Sequence, residues 1–133
     1  DSDDPLHFTP ENSRRFRALP AWMVLAAHGR EGIAEAVRRC CALATSLGEG
    51  IAATAGLELL DDVRLNIVCF ALSGDHSARA RDALLDRLNA DGRAFMTPTV
   101  LFGRPGIRAA VSNWSTRDED IALTLAALRD ALA

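Results

Sequence analysis

The residues best suited to chemistry in this chain are arginines placed where arginine is unusual. The stretch GIRAAVSN holds Arg108 inside an otherwise apolar, strand-like run. Side chains alternate along an extended segment, so Ile107, Ala109, Val111 and Asn113 share one face, and Arg108, Ala110, Ser112 and Trp114 the other. The first set is the better core face. Arg108 is therefore turned away from the core, beside the small Ala110. A guanidinium is a rigid planar fork that matches a carboxylate through two parallel hydrogen bonds. Two readings stand at this point: a solvated arginine on an exposed sheet face, which periodicity alone favours, and an arginine that faces an anionic ligand. A second cluster, Arg14, Arg15 and Arg17, lies in SRRFRALPAW. It suits phosphate or carboxylate binding, or, as the plainer reading, a basic lead-in that pairs with another domain.

Other reactive residue types are spread thinly. Cys40, Cys41 and Cys69 are odd in number, and two are adjacent, which makes a poor disulfide framework. They read as reduced thiols of a cytoplasmic protein, with Cys40 and Cys41 as core or near-core helix residues. His7, His28 and His76 are scattered and no CxxC spacing exists, so no metal site is expected. His28 precedes a helix-stopping glycine and suits a helix C-terminus better than base catalysis. With no Ser-His-Asp arrangement and no Gly-rich phosphate loop, no catalytic residue is assigned within the chain.

Four helical segments and four strands have to position these groups. The pattern predicts a helix from near Leu19, with Pro20 in its first turn where a missing N–H costs nothing, ending at Gly29. Trp22 is expected in its core face. A long helix follows from about Glu31 to Ala55, with Ile33, Val37, Cys40, Cys41, Ala44, Leu47 and Ile51 as its apolar stripe and Glu35 paired to Arg39. Gly48 and Gly50 weaken its last turns, and Gly56 stops it. Strands are expected at Leu57–Leu60 and Leu65–Leu72. The second is apolar on both faces, so both are expected to be covered. A helix over Ser77–Ala90 comes next. RAFMTPTVLFG and GIRAAVSNW are then two strands joined through an FGRPG turn. Trp114 is placed at the rim. The last helix starts at a capping box of Thr116 and Glu119 and packs through Ile121, Leu125, Leu128 and Leu132. The fold class is α+β: a small, mainly antiparallel sheet with helices packed on one face.

The chain has 133 residues, 49% of them hydrophobic and 25% charged, as expected for one globular domain. A net charge of -3 gives no reason to expect nucleic acid. The apolar stretches are too interrupted to span a bilayer. All 15 basic residues are arginine; there is no lysine and no tyrosine.

The ordered set SRRFRALPAW, HGREGI, the long helix, LNIVCFAL and PTVLFGRPGIRAAVSNWSTRDEDI resembles the C-terminal region of pyridoxal-phosphate-dependent amino-acid decarboxylases. That group includes the aromatic-amino-acid, glutamate, histidine and diaminobutyrate enzymes. The resemblance implies the C-terminal small domain of a fold-type I enzyme: residues 1–18 as a linker or hinge from a large domain, and residues 19–133 as the small domain. It implies pyridoxal 5'-phosphate as cofactor, an L-amino acid as substrate, and partners in the large domain and a second subunit of a homodimer. The family carries the cofactor on a lysine of the large domain, and this chain has no lysine, so alone it is expected to be inactive. Arg108 matches a strand arginine that faces the active site and handles the substrate carboxylate in some members. Arg14, Arg15 and Arg17 become interdomain, structural residues. Pro20 departs from the family, which often has lysine there. The alternative is a stand-alone ligand-binding or protein-interaction α+β domain, since the chain is long enough to fold by itself.

Overall fold

The computed structural model describes residues 16–133. Arg14 and Arg15 lie outside the described residues. The chain divides into two compact units, Asp1–Ala34 and Glu35–Ala133. The elements in order are α1 (Leu19–Ala52), β1 (Leu57–Leu59), β2 (Ile67–Leu72), α2 (Ala78–Asp91), β3 (Thr97–Leu101), β4 (Arg104–Ala110) and α3 (Asp118–Leu132). Helix α1 joins the two expected helices. Gly29, with φ 62 and ψ −174, breaks its helical dihedrals where the first was expected to stop. Only glycine adopts that conformation without strain.

In the first unit α1 begins at Leu19 with Pro20 in its first turn, as expected. Trp22 is a correction. It was expected in a core, yet it is 62% exposed, and Met23, Val24 and Leu25 are exposed with it. Its sequence neighbours are apolar on every side, and among the described residues of this unit one short helix has no second element on which to build a core.

The second unit holds the core. Its sheet has the order β1-β2-β4-β3, and every pair is antiparallel. Val68, Phe70, Ile107, Ala109 and Val111 point inward and meet Leu43, Leu47, Ile51, Leu84, Leu88, Ile121 and Leu128 in one cluster. Phe70, Ile51, Leu84, Leu88, Ile107 and Leu128 are completely enclosed, and each such side chain contributes about 1.5–3 kcal/mol. The helices lie on one face of the sheet. Gly48 and Gly50 do more than weaken α1. A methyl at Gly48 would stand 2.6 Å from Val63 Cγ2, and one at Gly50 2.8 Å from Leu125 Cδ2, so both allow close packing.

Several local expectations change. Val37 is exposed rather than in the α1 stripe, and Leu43 is buried instead. Glu35 pairs with Arg38 at 2.6 Å, while Arg39 Nη2 donates to the Trp114 carbonyl at 2.5 Å. The long-range acceptor draws Arg39 off the helix surface. The β3–β4 turn is only Phe102–Gly103, with φ 52 and 75. Positive φ at both central residues suits the right-handed strand twist, so Arg104–Gly106 join the strand instead of the turn. Helix α3 starts one residue late. The Asn113 side chain accepts from Ser115 N and Oγ, which fixes a turn, and Arg117 N donates to Asp120 Oδ2 at 2.9 Å. Arg117 and Asp120 therefore replace Thr116 and Glu119 at the cap. By contrast, α2 keeps its expected frame: Ser77 Oγ accepts from Ala80 N, and Gly92 closes the helix in the left-handed region.

Candidate functional site

Strand β4 alternates as the sequence predicts. Ile107 and Ala109 are buried, and Arg108 and Ala110 are exposed on the face opposite the helices. Register places Cys69 of β2 on one side of Arg108 and Thr97 of β3 on the other. Directly paired residues share a face, so these three side chains form a row across the middle of the open surface. Ala110 lies beyond Arg108 along the strand, and Gly106 before it. Leu60 leans over Gly106 so closely that a methyl there would strike Leu60 Cδ1 and stand 2.9 Å from the Phe70 carbonyl oxygen.

The electrostatics separate two arginines of one strand. Arg104 donates to Glu58 Oε1 and stands 3.2 Å from His76 Nδ1. It is held within the protein. Arg108 has no hydrogen-bond or ion-pair partner among the described residues. Burial raises the Cys69 thiol above its usual range; the Arg108 charge opposes that shift and Asp61 adds to it. The thiol is therefore protonated at neutral pH and does not offset the Arg108 charge. Asp61 is itself paired with Arg64 at 3.2 Å.

Beside Cys69 lies a shallow depression of about 260 Å³ between the loop Asp61–Leu65 and residues Ile67 and Leu101. Leu65 is 66% and Ile67 41% exposed. Strand β2 was expected to be covered on both faces; among the described residues this face is open at its Ile67 end, while Ala71 farther along is buried. A larger cleft, about 610 Å³, sits at the start of α3 among Arg39, Trp114 and Arg117. Its Arg39 is already bonded to a backbone carbonyl, and Asp118 and Glu119 offset its positive charge.

Of the expected site residues, Arg108 occupies the open face of the second unit. Arg17 is exposed in the turn before α1, in the first unit. Sequence reading passed over Thr97 and Arg104. Strand parity could have found Arg104, four residues before Arg108 on the same face. Thr97 required the register of β3, which depends on the length of the turn. Arrayed this way, the face can hold an anion by charge and hydrogen bonding. No group of three His, Cys, Asp or Glu suited to a metal ion occurs among the described residues. No helix among the described residues is long and apolar enough to cross a membrane.

Comparison with known proteins adds a context. Residues 2–73 match the family model for the pyridoxal-dependent decarboxylase conserved domain. The aromatic-L-amino-acid decarboxylase of Drosophila lebanonensis is 35% identical over 89% of this chain and 29% of its own length. Tyrosine decarboxylase 2 of Narcissus pseudonarcissus is 33% identical over 81% of this chain and 23% of its own. Among solved structures, Catharanthus roseus tryptophan decarboxylase in complex with L-tryptophan aligns over 96% of this chain and 29% of that one, at 27% identity and a TM-score of 0.76. Oryza sativa TDC with PLP and tryptamine shares the fold over 89% of this chain and 27% of that one, at 24% identity and a TM-score of 0.80. The chain thus spans about a quarter of the length of the curated relatives it matches.

Proposed function

Because the chain belongs to the pyridoxal-dependent decarboxylase family, we propose that it acts as the C-terminal small domain of an amino-acid decarboxylase and presents Arg108 to the substrate carboxylate. One observation carries the site: Arg108 is an exposed cation with no partner among the described residues, in the middle of a sheet face. A larger domain of the same protein covers that face in this reading. The exposed Leu65 and Ile67 support such a cover, since apolar side chains gain by leaving water. The hinge role of Arg14, Arg15 and Arg17 belongs to the same proposal, as do a homodimeric assembly and a cytoplasmic location.

Pyridoxal phosphate is the cofactor of this reading. It supplies an electron sink for the carbanion left when CO2 departs. It is usually held through an amine that condenses with its aldehyde, and this chain has no lysine. Its residues therefore do not fit covalent carriage of the cofactor, and no step through the cofactor is assigned to them. Their part is to bind and orient the substrate carboxylate. The relatives named as aromatic-L-amino-acid and tyrosine decarboxylases support an aromatic L-amino acid as substrate.

The test is to purify the polypeptide that contains this chain at the length of its relatives, loaded with pyridoxal phosphate. CO2 release is then measured from L-tryptophan, L-tyrosine, L-histidine and L-glutamate. Release is expected from at least one aromatic substrate. A cofactor-loaded protein that releases CO2 from none of the four contradicts the proposal. Size-exclusion chromatography with light scattering of the same preparation tests the homodimer.

A further inference from the structure

We infer that Thr97 is a second carboxylate-binding residue, its hydroxyl completing with the Arg108 guanidinium a cradle that spans β3 and β4. This rests on the reading that Arg108 meets the substrate carboxylate. The ligand class is an α-amino acid bound through its carboxylate.

The first argument is register. Thr97 lies directly across from Arg108 in the β3–β4 hairpin. Side chains so paired stand on one face with Cβ atoms about 4.5–5.5 Å apart. The second is availability. Thr97 is half-buried, and its hydroxyl, like the Arg108 guanidinium, bonds to no other described residue. The third is charge. Glu58 is taken by Arg104, Asp61 pairs with Arg64, and burial keeps Cys69 a neutral thiol. Arg108 and Thr97 are thus adjacent donors with no anion of the row's own to satisfy them. The fourth is access. Leu60 closes the Gly106 side of the row, whereas Ala110 on the other side is exposed and small.

The chemistry follows from donor geometry. A guanidinium fork occupies one lone pair on each carboxylate oxygen and leaves the others free. A hydroxyl one strand away can donate to one of those. Such a cradle separates an acid from the amine left after decarboxylation, because only the acid accepts both bonds.

The experiment uses the full-length, cofactor-loaded enzyme and calorimetric Kd values, not turnover. The probes are 3-phenylpropanoate, which has the carboxylate without the amine, and 2-phenylethylamine, which has the amine without the carboxylate. Thr97→Val keeps the shape and a good strand former while removing the hydroxyl. It is expected to weaken 3-phenylpropanoate by about tenfold or more, a hydrogen bond to a charged group, while 2-phenylethylamine stays within about twofold. Thr97→Ser should restore most of the loss. Arg108→Gln separates the two layers of inference. If it weakens the acid selectively and Thr97→Val does not, the Thr97 proposal is overturned and the Arg108 reading stands. If neither variant discriminates acid from amine, or if the wild type fails to bind 3-phenylpropanoate, the Arg108 reading fails and this one with it. Equal weakening of both probes by Thr97→Val marks a structural threonine and also overturns the proposal.

Discussion

Replacing Asn89 with alanine should loosen the start of β3, and the structure sets the size of the effect. Asn89 lies in the last turn of α2. Its Nδ2 donates to the Met96 carbonyl at 3.1 Å, and its Oδ1 accepts from Met96 N at 3.0 Å. Met96 is 3% exposed and directly precedes Thr97, so this bidentate clamp fixes where β3 begins. Each bond is worth about 1 kcal/mol net, and about 1–3 kcal/mol if its backbone partner is left dry. Asn89 is only half-buried, so water can enter the vacated space and limit the loss. Alanine also gains up to about 0.6 kcal/mol in helix propensity. The balance is a loss of about 1.5–3 kcal/mol. With a urea m-value of about 2 kcal/mol/M, the midpoint of the isolated chain should fall by roughly 1 M. Far-UV circular dichroism measures this; Trp22 and Trp114 are exposed and make poor reporters. Asn89→Asp keeps the acceptor for Met96 N and should lose only part of the stability. A midpoint for Asn89→Ala within about 0.2 M of wild type would place the clamp among ordinary surface contacts and refute the reasoning.

Two further outcomes are expected. Gly106→Ala forces a methyl against Leu60 Cδ1 and to 2.9 Å from the Phe70 carbonyl oxygen; the leucine can move but the backbone cannot, so a loss of about 1–3 kcal/mol should appear in the urea midpoint, and an unchanged midpoint would show that the strands yield freely. Asp91 is held below the usual aspartate range first by its hydrogen bond to the Arg93 side chain; a depressed folded pKa gives stability that is complete above the unfolded value of about 3.9 and lost as pH falls through the lower folded value, so Asp91→Asn should flatten the acid limb of a stability–pH curve below pH ~4 and leave its slope near neutrality unchanged.

Alternation is local, and so the face of Arg108 was legible from GIRAAV alone. The same holds for Gly29 and Gly92, where a glycine marks the end of a helical pattern. Trp22 was misread because periodicity reports an apolar face without saying what covers it. The Thr116 cap was misread because Asn113 competes for the turn, and side-chain competition among neighbouring polar residues does not show in spacing. The value of Thr97 lay in register, which the two-residue turn at Phe102–Gly103 sets and the longer FGRPG reading obscured. That Arg104 is satisfied, while Arg108 has no partner among the described residues, depends on Glu58 and His76, far apart from β4 in the chain.

The most direct test of the carboxylate contact is Arg108→Ala in the full-length enzyme, measured as kcat/KM for its preferred L-amino acid beside the melting temperature. Loss of a charged carboxylate contact predicts a fall of about 10- to 100-fold in kcat/KM. Arg108 is exposed and makes no internal pair among the described residues, so the melting temperature should move by no more than about 2 °C. Unchanged turnover, or activity and melting temperature falling together, would contradict the claim that this arginine faces a substrate.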